Sequence, residues 1–155
     1  LSFGRDSWLY QSLVQEKALT GSVSSSINPL GNMHNIDGPT LYQIWLFHDS
    51  DKTADEIIAA IDEQIARLQA APVDGETLDR ALVKIRSNLY SMLESGFGRA
   101  DLLASFALFH DDPGRINRLE SEFRKVTPEL IQRVAREYLR STNRTIVTVE
   151  PASAS

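Results

Sequence analysis

The sequence predicts an α+β fold in which an antiparallel sheet is covered by helices on one side. Three observations carry this expectation. Residues 125–151 read as a capped helix, a short polar break and a strand closed by a proline. Residues 19–28 and 41–47 carry strand patterns on either side of a segment rich in turn chemistry. Between and after these stretches, apolar residues recur at the i, i+4, i+7 spacing of amphipathic helices.

Taken in order, Ser7 to Ala18 (SWLYQSLVQEKA) predicts a helix that turns Leu9, Leu13 and Val14 inward. Leu19 to Asn28 sets Leu19, Gly21, Val23, Ser25 and Ile27 against small polar neighbours, the alternation of a half-buried strand. Asn28-Pro29-Leu30-Gly31-Asn32 and Asp37-Gly38-Pro39 are turn signals. Leu41 to Phe47 (LYQIWLF) predicts a second strand covered on both faces, and the pair predicts an antiparallel hairpin.

The chain then turns helical. Thr53 to Glu56 is a capping box, opening a helix with Ile57, Ile58, Ile61, Ile65 and Leu68 on one face and ending before Pro72. Asp74 caps the next helix, with Leu78, Leu82, Ile85, Leu89, Met92 and Leu93 on its face, and Gly96 and Gly98 break it. Arg99 to Phe109 predicts a strongly apolar helix, and Asp112-Pro113-Gly114 turns into another over Ile116 to Lys125. Thr127 and Pro128 then start a helix, with Val126 and Ile131 at the positions of a hydrophobic staple. Leu130, Ile131, Val134, Ala135, Tyr138 and Leu139 form its stripe, and β-branched Thr145 to Val149 predicts the last strand, stopped by Pro151. Such a helix is expected to cover the sheet that its strand joins. These strands are too few for that sheet, so further strands are expected before Leu1 or from another chain.

Composition narrows the function. A length of 155 residues is one segment of domain size, and a 42% hydrophobic share suffices for a core. A net charge of −5 argues against nucleic acid as a partner. No apolar run reaches the ~20 residues of a membrane span. The absence of cysteine excludes thiolate zinc sites and cysteine nucleophiles and leaves the compartment open between cytoplasm and periplasm.

Individual residues add little chemistry. His34 and His48 lie near Asp37, Asp49 and Asp51 without a ligand spacing and read as surface polar residues. His110-Asp111-Asp112 reads as a helix end and turn. Gly96-Phe97-Gly98 follows a helix and lacks the lysine of a phosphate loop. Ser22, Ser24, Ser25 and Ser26 read as the wet face of a strand or a flank of a peptide groove. Tyr42, Trp45 and Phe47 read as core or interface.

Three segments carry a resemblance. Gly4 to Lys17 (GRDSWLYQSLVQEK), Leu93 to Leu103 (LESGFGRADLL) and Val126 to Pro151 occur in an order that resembles the pitrilysin/insulinase family of zinc metallopeptidases, including processing peptidase-like domains. The resemblance implies a two-layer metallohydrolase domain of which this chain is the C-terminal part, its N-terminal strands missing. It also implies proteolysis of peptides in a chamber closed by a paired pitrilysin-like domain or by homo-oligomerisation, in a bacterial enzyme.

Zinc would belong to the complete catalytic protein or partner domain, because the family's H-x-x-E-H motif is not in this sequence. No catalytic or metal-binding residue is carried over. The family's substrate-holding arginine and tyrosine, seven residues apart, match Val14 and Gly21, neither of which fits that role. The resemblance therefore implies a scaffold and chamber-wall segment, with a catalytically silent assembly subunit of the same fold as the alternative. Setting the resemblance aside leaves a free-standing helical interaction module.

Overall fold

Local capping chemistry places the helix starts. In a computed structural model of the chain, which describes residues 1–28 and 32–149, Ser7, Thr53, Asp74, Ser95 and Thr127 each turn a side-chain oxygen onto a backbone N–H of a first helical turn. The helices are α1 (Trp8–Tyr10), α2 (Ala54–Ala70), α3 (Gly75–Glu94), α4 (Gly96–His110), α5 (Leu119–Phe123) and α6 (Pro128–Tyr138). The strands are β1 (Val23–Ser26) and β2 (Gln43–Leu46), paired antiparallel with Val23 opposite Leu46 and Ser26 opposite Gln43. The architecture is thus α+β, mostly helical, with a small hairpin sheet.

The hairpin, the Thr53–Glu56 capping box and the Asp74 and Thr127 caps stand where the sequence predicts them. Thr127 accepts from Leu130 N at 3.2 Å with Pro128 at the first helical position. Removing the cap in Thr127→Ala leaves an orphan N–H on an exposed helix end. We expect a loss of about 1 kcal/mol, read as a lower urea midpoint at unchanged slope.

Elsewhere the structure differs from the sequence expectation. The helix predicted over Ser7 to Ala18 is α-helical only for Trp8–Tyr10 and widens into a π-helix over Gln11–Glu16, where Lys17 N donates to Ser12 O at 3.0 Å. Leu9 and Leu13 are nevertheless fully buried, as the spacing predicts, and Ala18 reverses the chain at φ 47°. Thr20 Oγ1 bonds to Ser22 O and to Phe47 O at 2.8 and 2.5 Å, which holds the helix-to-strand turn against the end of β2. Both strands are shorter than their apolar patterns. Part of the turn at 28–32 (residues 29–31) and Pro151 lie outside the described residues.

The expectation that β2 is covered on both faces is overturned. Strand alternation sends Ile44 and Leu46 inward and leaves Trp45 54% and Phe47 79% exposed. Thr145 to Val149 is not a strand either: among the described residues no backbone pairs with it, and Val147 and Val149 are 79% and 88% exposed. β-Branched composition favours a pleated surface, but a strand exists only where another backbone completes its ladder. Nor does α6 cover a sheet. It packs on α2, where Gln69 Nε2 donates to the carbonyls of Ala135 and Leu139 at 3.1 and 2.8 Å and Gln132 Nε2 returns to Gln69 O at 3.0 Å. Gln69 so supplies a donor to the Leu139 carbonyl just past the end of α6 and a second donor to Ala135 O, which already accepts from Leu139 N at 3.0 Å.

The core has two parts. Leu9, Leu13, Leu19, Val23, Ile57 and Ala60 join α1, the hairpin and α2. Leu89, Leu102, Phe106 and Leu119 join the end of α3 to α4 and α5. The face predicted for α3 is buried only at Leu89, because its first half extends beyond the second cluster and leaves Ile85 exposed. Gly96 and Gly98 lie inside the first turn of α4, and the break falls at Ser95. Pro113–Arg118 is a 3₁₀ segment that leads into α5, in place of one helix from Ile116 to Lys125.

Candidate functional site

The hairpin and the turn that feeds it form the first candidate. Beside it lies an open depression of about 470 Å³ lined by residues 18–22 and 47–49. One ladder edge of each strand pairs with the other strand, and among the described residues neither strand has a second neighbour. The outer face carries Ser24 opposite Trp45 and Ser26 opposite Gln43, and the Trp45 and Phe47 rings meet edge-on at 6.0 Å. An open edge beside an apolar ring pair can accept an extended peptide: the edge supplies backbone hydrogen bonds and the rings supply contact area. Trp45 and Phe47 are therefore an exposed surface rather than core, while Ser25 is engaged at 3.0 Å by Tyr42 Oη.

Val14 and Gly21, the positions matching the family's arginine and tyrosine, bracket this turn. Val14 packs half-buried against the Leu9–Leu13 cluster, so it is a core contact. Gly21 is exposed, and a Cβ there meets nothing within 4 Å. Neither brings a polar side chain to the depression.

The second constellation lies where the β1–β2 loop meets α4. Asn32 Nδ2 donates to Asp101 Oδ2 at 2.6 Å and to Ser105 Oγ at 3.1 Å, and Ser105 also bonds Asn35. The His34 ring lies 4.8 Å from that of Phe106, and His110 Nε2 meets His34 O at 3.2 Å. Arg115 reaches His110 Nδ1 at 3.2 Å and pairs with Glu122 at 3.0 Å. Burial, with Arg115 and His110 nearby, pushes His34 below the usual histidine range, against a smaller opposing pull from Glu122.

His34 is thus not the surface residue that the sequence predicts, and only His48 is exposed as expected. Asp111 does end α4, in the left-handed conformation, and Asp112 N donates to Phe106 O at 3.0 Å. Ser105 escapes the sequence reading. Its signal was a lone hydroxyl in the otherwise apolar run Leu102 to Phe109, with Asp101 one turn earlier.

These residues do not fit a zinc ion. Both ring nitrogens of His110 are engaged, one by an arginine, and among the described residues no three metal-ligating side chains converge. No described helix is long and apolar enough to cross a membrane.

The arrangement of helices and hairpin is similar to that of two solved structures. The fold matches the crystal structure of a protease from Helicobacter pylori at a TM-score of 0.72 and 23% identity, over 92% of this chain and 33% of that one. It also matches a "putative zinc protease" from Bordetella pertussis Tohama I at a TM-score of 0.71 and 23% identity, over 94% of this chain and 76% of that one. The chain therefore has a zinc protease-like fold and spans about a third of the length of the Helicobacter pylori protein. No protein-family model matches the sequence, and no curated protein does.

Proposed function

We propose that this chain is the C-terminal segment of a pitrilysin-like domain in a bacterial insulinase-type zinc metallopeptidase, where it forms scaffold and chamber wall. The likeness of nearly the whole chain to two protease structures carries the reading. The β-branched segment at 145–149 and the hairpin edges, which pair with no further strand among the described residues, support it, because a larger two-layer sheet would take up both. Zinc, and the metal-bound water that attacks the peptide carbonyl, would come from residues outside this chain. This chain's part is to present the hairpin edge and the Trp45–Phe47 face to an extended peptide.

The test uses the pure chain. Elemental analysis after dialysis should find no retained zinc, and a quenched-fluorescence peptide library should remain uncleaved. An unstructured peptide should shift the backbone amide resonances of 23–26 or 43–46, and an N-methylated version should not. Stoichiometric zinc or cleavage would overturn the assignment of the chemistry to residues elsewhere. Failure of any peptide to move those amides would remove the chamber-wall role and favour the silent assembly subunit.

A further inference from the structure

We propose that the contact between the β1–β2 loop and α4 is an acid-released clasp, in which protonation of His34, packed on Phe106 beside Arg115 and His110, frees residues 32–35 from the helix. The hydrogen-bond geometry fixes the neutral state. Arginine has only donors to offer, so His110 Nδ1, 3.2 Å from Arg115 Nη1, must be an acceptor. The ring proton then sits on Nε2, where it donates to His34 O at 3.2 Å. One histidine is held as one tautomer by an arginine on one side and the loop backbone on the other.

His34 meets the same charge. Its ring is half-buried on Phe106, 4.8 Å away, and Phe106 carries the Arg115 guanidinium at 5.7 Å and the His110 ring at 5.7 Å on its other approaches. From α4 the groups facing the clasp are His110 and, through Asn32, Asp101. The 3₁₀ segment contributes Arg115 and α5 contributes Glu122, whose carboxylate is already paired with Arg115 at 3.0 Å. Neutral bonds hold the rest of the loop: Asn32 and Asn35 to Ser105, and His34 N to Asn32 Oδ1 at 2.8 Å. A cationic His34 imidazole would therefore meet the arginine's charge, and the carboxylate that opposes it is already engaged.

The sign follows from the direction of the His34 shift. Burial, then Arg115 and His110, hold its folded-state value below the ordinary one, so the open state binds protons first as pH falls. The closed clasp is fully stable above the ordinary histidine range. It weakens as pH drops from about 6.5 toward the lowered value. Opening would loosen the loop that joins β1 to β2, and with it the hairpin. The inference stands on this contact alone and does not require the peptidase reading.

The experiment is a pH series on the full chain with two readouts. Long-range ¹H–¹⁵N spectra at about pH 7.5 should show His110 as the Nε2–H tautomer. Amide exchange, corrected for intrinsic pH dependence, should show protection at 34–35 falling about fivefold or more between about pH 7.5 and 5.5, while α2 amides stay constant. In the double variant His34→Phe, His110→Gln, which keeps a ring on Phe106 and a donor toward the loop, that fall should shrink to less than about twofold. Arg115→Gln, which removes one cause of the lowered His34 value, should make the fall in protection smaller than in the wild type, and this arm stands even if the double variant does not fold. An Nδ1–H tautomer, pH-independent protection, or an undiminished fall in the double variant would overturn the clasp; the last result would assign the effect to Asp101 or Glu122.

Discussion

Replacing Phe106 by alanine is expected to destabilise the protein by about 3–5 kcal/mol, the range for truncating a buried aromatic ring. Phe106 is the largest of the fully buried side chains, at 0% exposure, and it sits where two kinds of contact meet. On one side are Leu89, Leu102 and Leu119, which tie the end of α3 to α4 and α5. On the other are the rings of His34 and His110 at 4.8 and 5.7 Å, through which the β1–β2 loop reaches the same helix. Truncation removes the ring's transfer energy and leaves a cavity walled by aliphatic side chains and an imidazole. Neither wall can collapse freely, because His34 is held through Asn32 and Asn35 to Ser105. Urea unfolding should show the loss as a lower midpoint, whereas Leu108→Ala, at a position 78% exposed on the same helix, should change stability by no more than about 0.5 kcal/mol. Equal costs for the two would mean that α4 does not turn this face to the core.

The parts of the fold legible in the sequence are those whose physics is local. A cap is one side chain meeting a backbone N–H three residues away, so Thr53, Asp74 and Thr127 could be placed without knowing what the helices touch. The hairpin was legible for the same reason, since two strand patterns flank turn chemistry. Partners were not legible. The stripe on α6 looked like a sheet-covering face, yet Gln69 and Arg136 tie α6 to α2, with Arg136 Nε 2.6 Å from Gln69 O. The strand pattern of 145–149 described side chains suited to a sheet and could not supply the second backbone that a strand requires. The π-helical turn at 11–16 was hidden because Leu9 and Leu13 keep an ordinary i, i+4 spacing.

The candidate site divides in the same way. Departures at Val14 and Gly21 were legible because they are matters of residue type, and the structure adds only that one is packed and the other open. His34 looked like a surface histidine because nothing within several residues of it is an acid or a metal ligand at a useful spacing. Its environment comes from α4, the 3₁₀ segment and α5, more than sixty residues downstream. Sequence proximity therefore underestimates titratable clusters that form between distant elements. The serine and asparagines of this clasp carry no sign of it beyond the hydroxyl at Ser105.

Gly98→Ala is expected to destabilise by about 2–3 kcal/mol even though alanine is the better helix former. The added Cβ would sit 2.2 Å from Met92 O and 3.0 Å from Met92 C, so the obstacle is the backbone of the last turn of α3 rather than a side chain that could swing away. That closeness is imposed by the connection. Ser95 is at once the residue that ends α3 and the cap of α4, accepting from Gly98 N at 3.3 Å, so the two helices join with no spacer. Arg99 Nη1 closes the corner from the other side by donating to Leu93 O at 2.7 Å. Opening the corner to admit a methyl group would draw Leu102 and Phe106 away from Leu89, so the local clash spreads into the second core cluster. Gly96 is the internal control. Its Cβ position meets nothing closer than Arg99 Nη2 at 4.0 Å, so Gly96→Ala should be neutral or stabilising by up to about 1 kcal/mol from helix propensity alone. The two glycines are indistinguishable as helix breakers in sequence. If both alanine variants lost stability equally under urea, the corner would have to be less tight than the Met92 carbonyl implies. If only Gly98→Ala did, the glycine is required by the approach of two backbones and not by the turn itself.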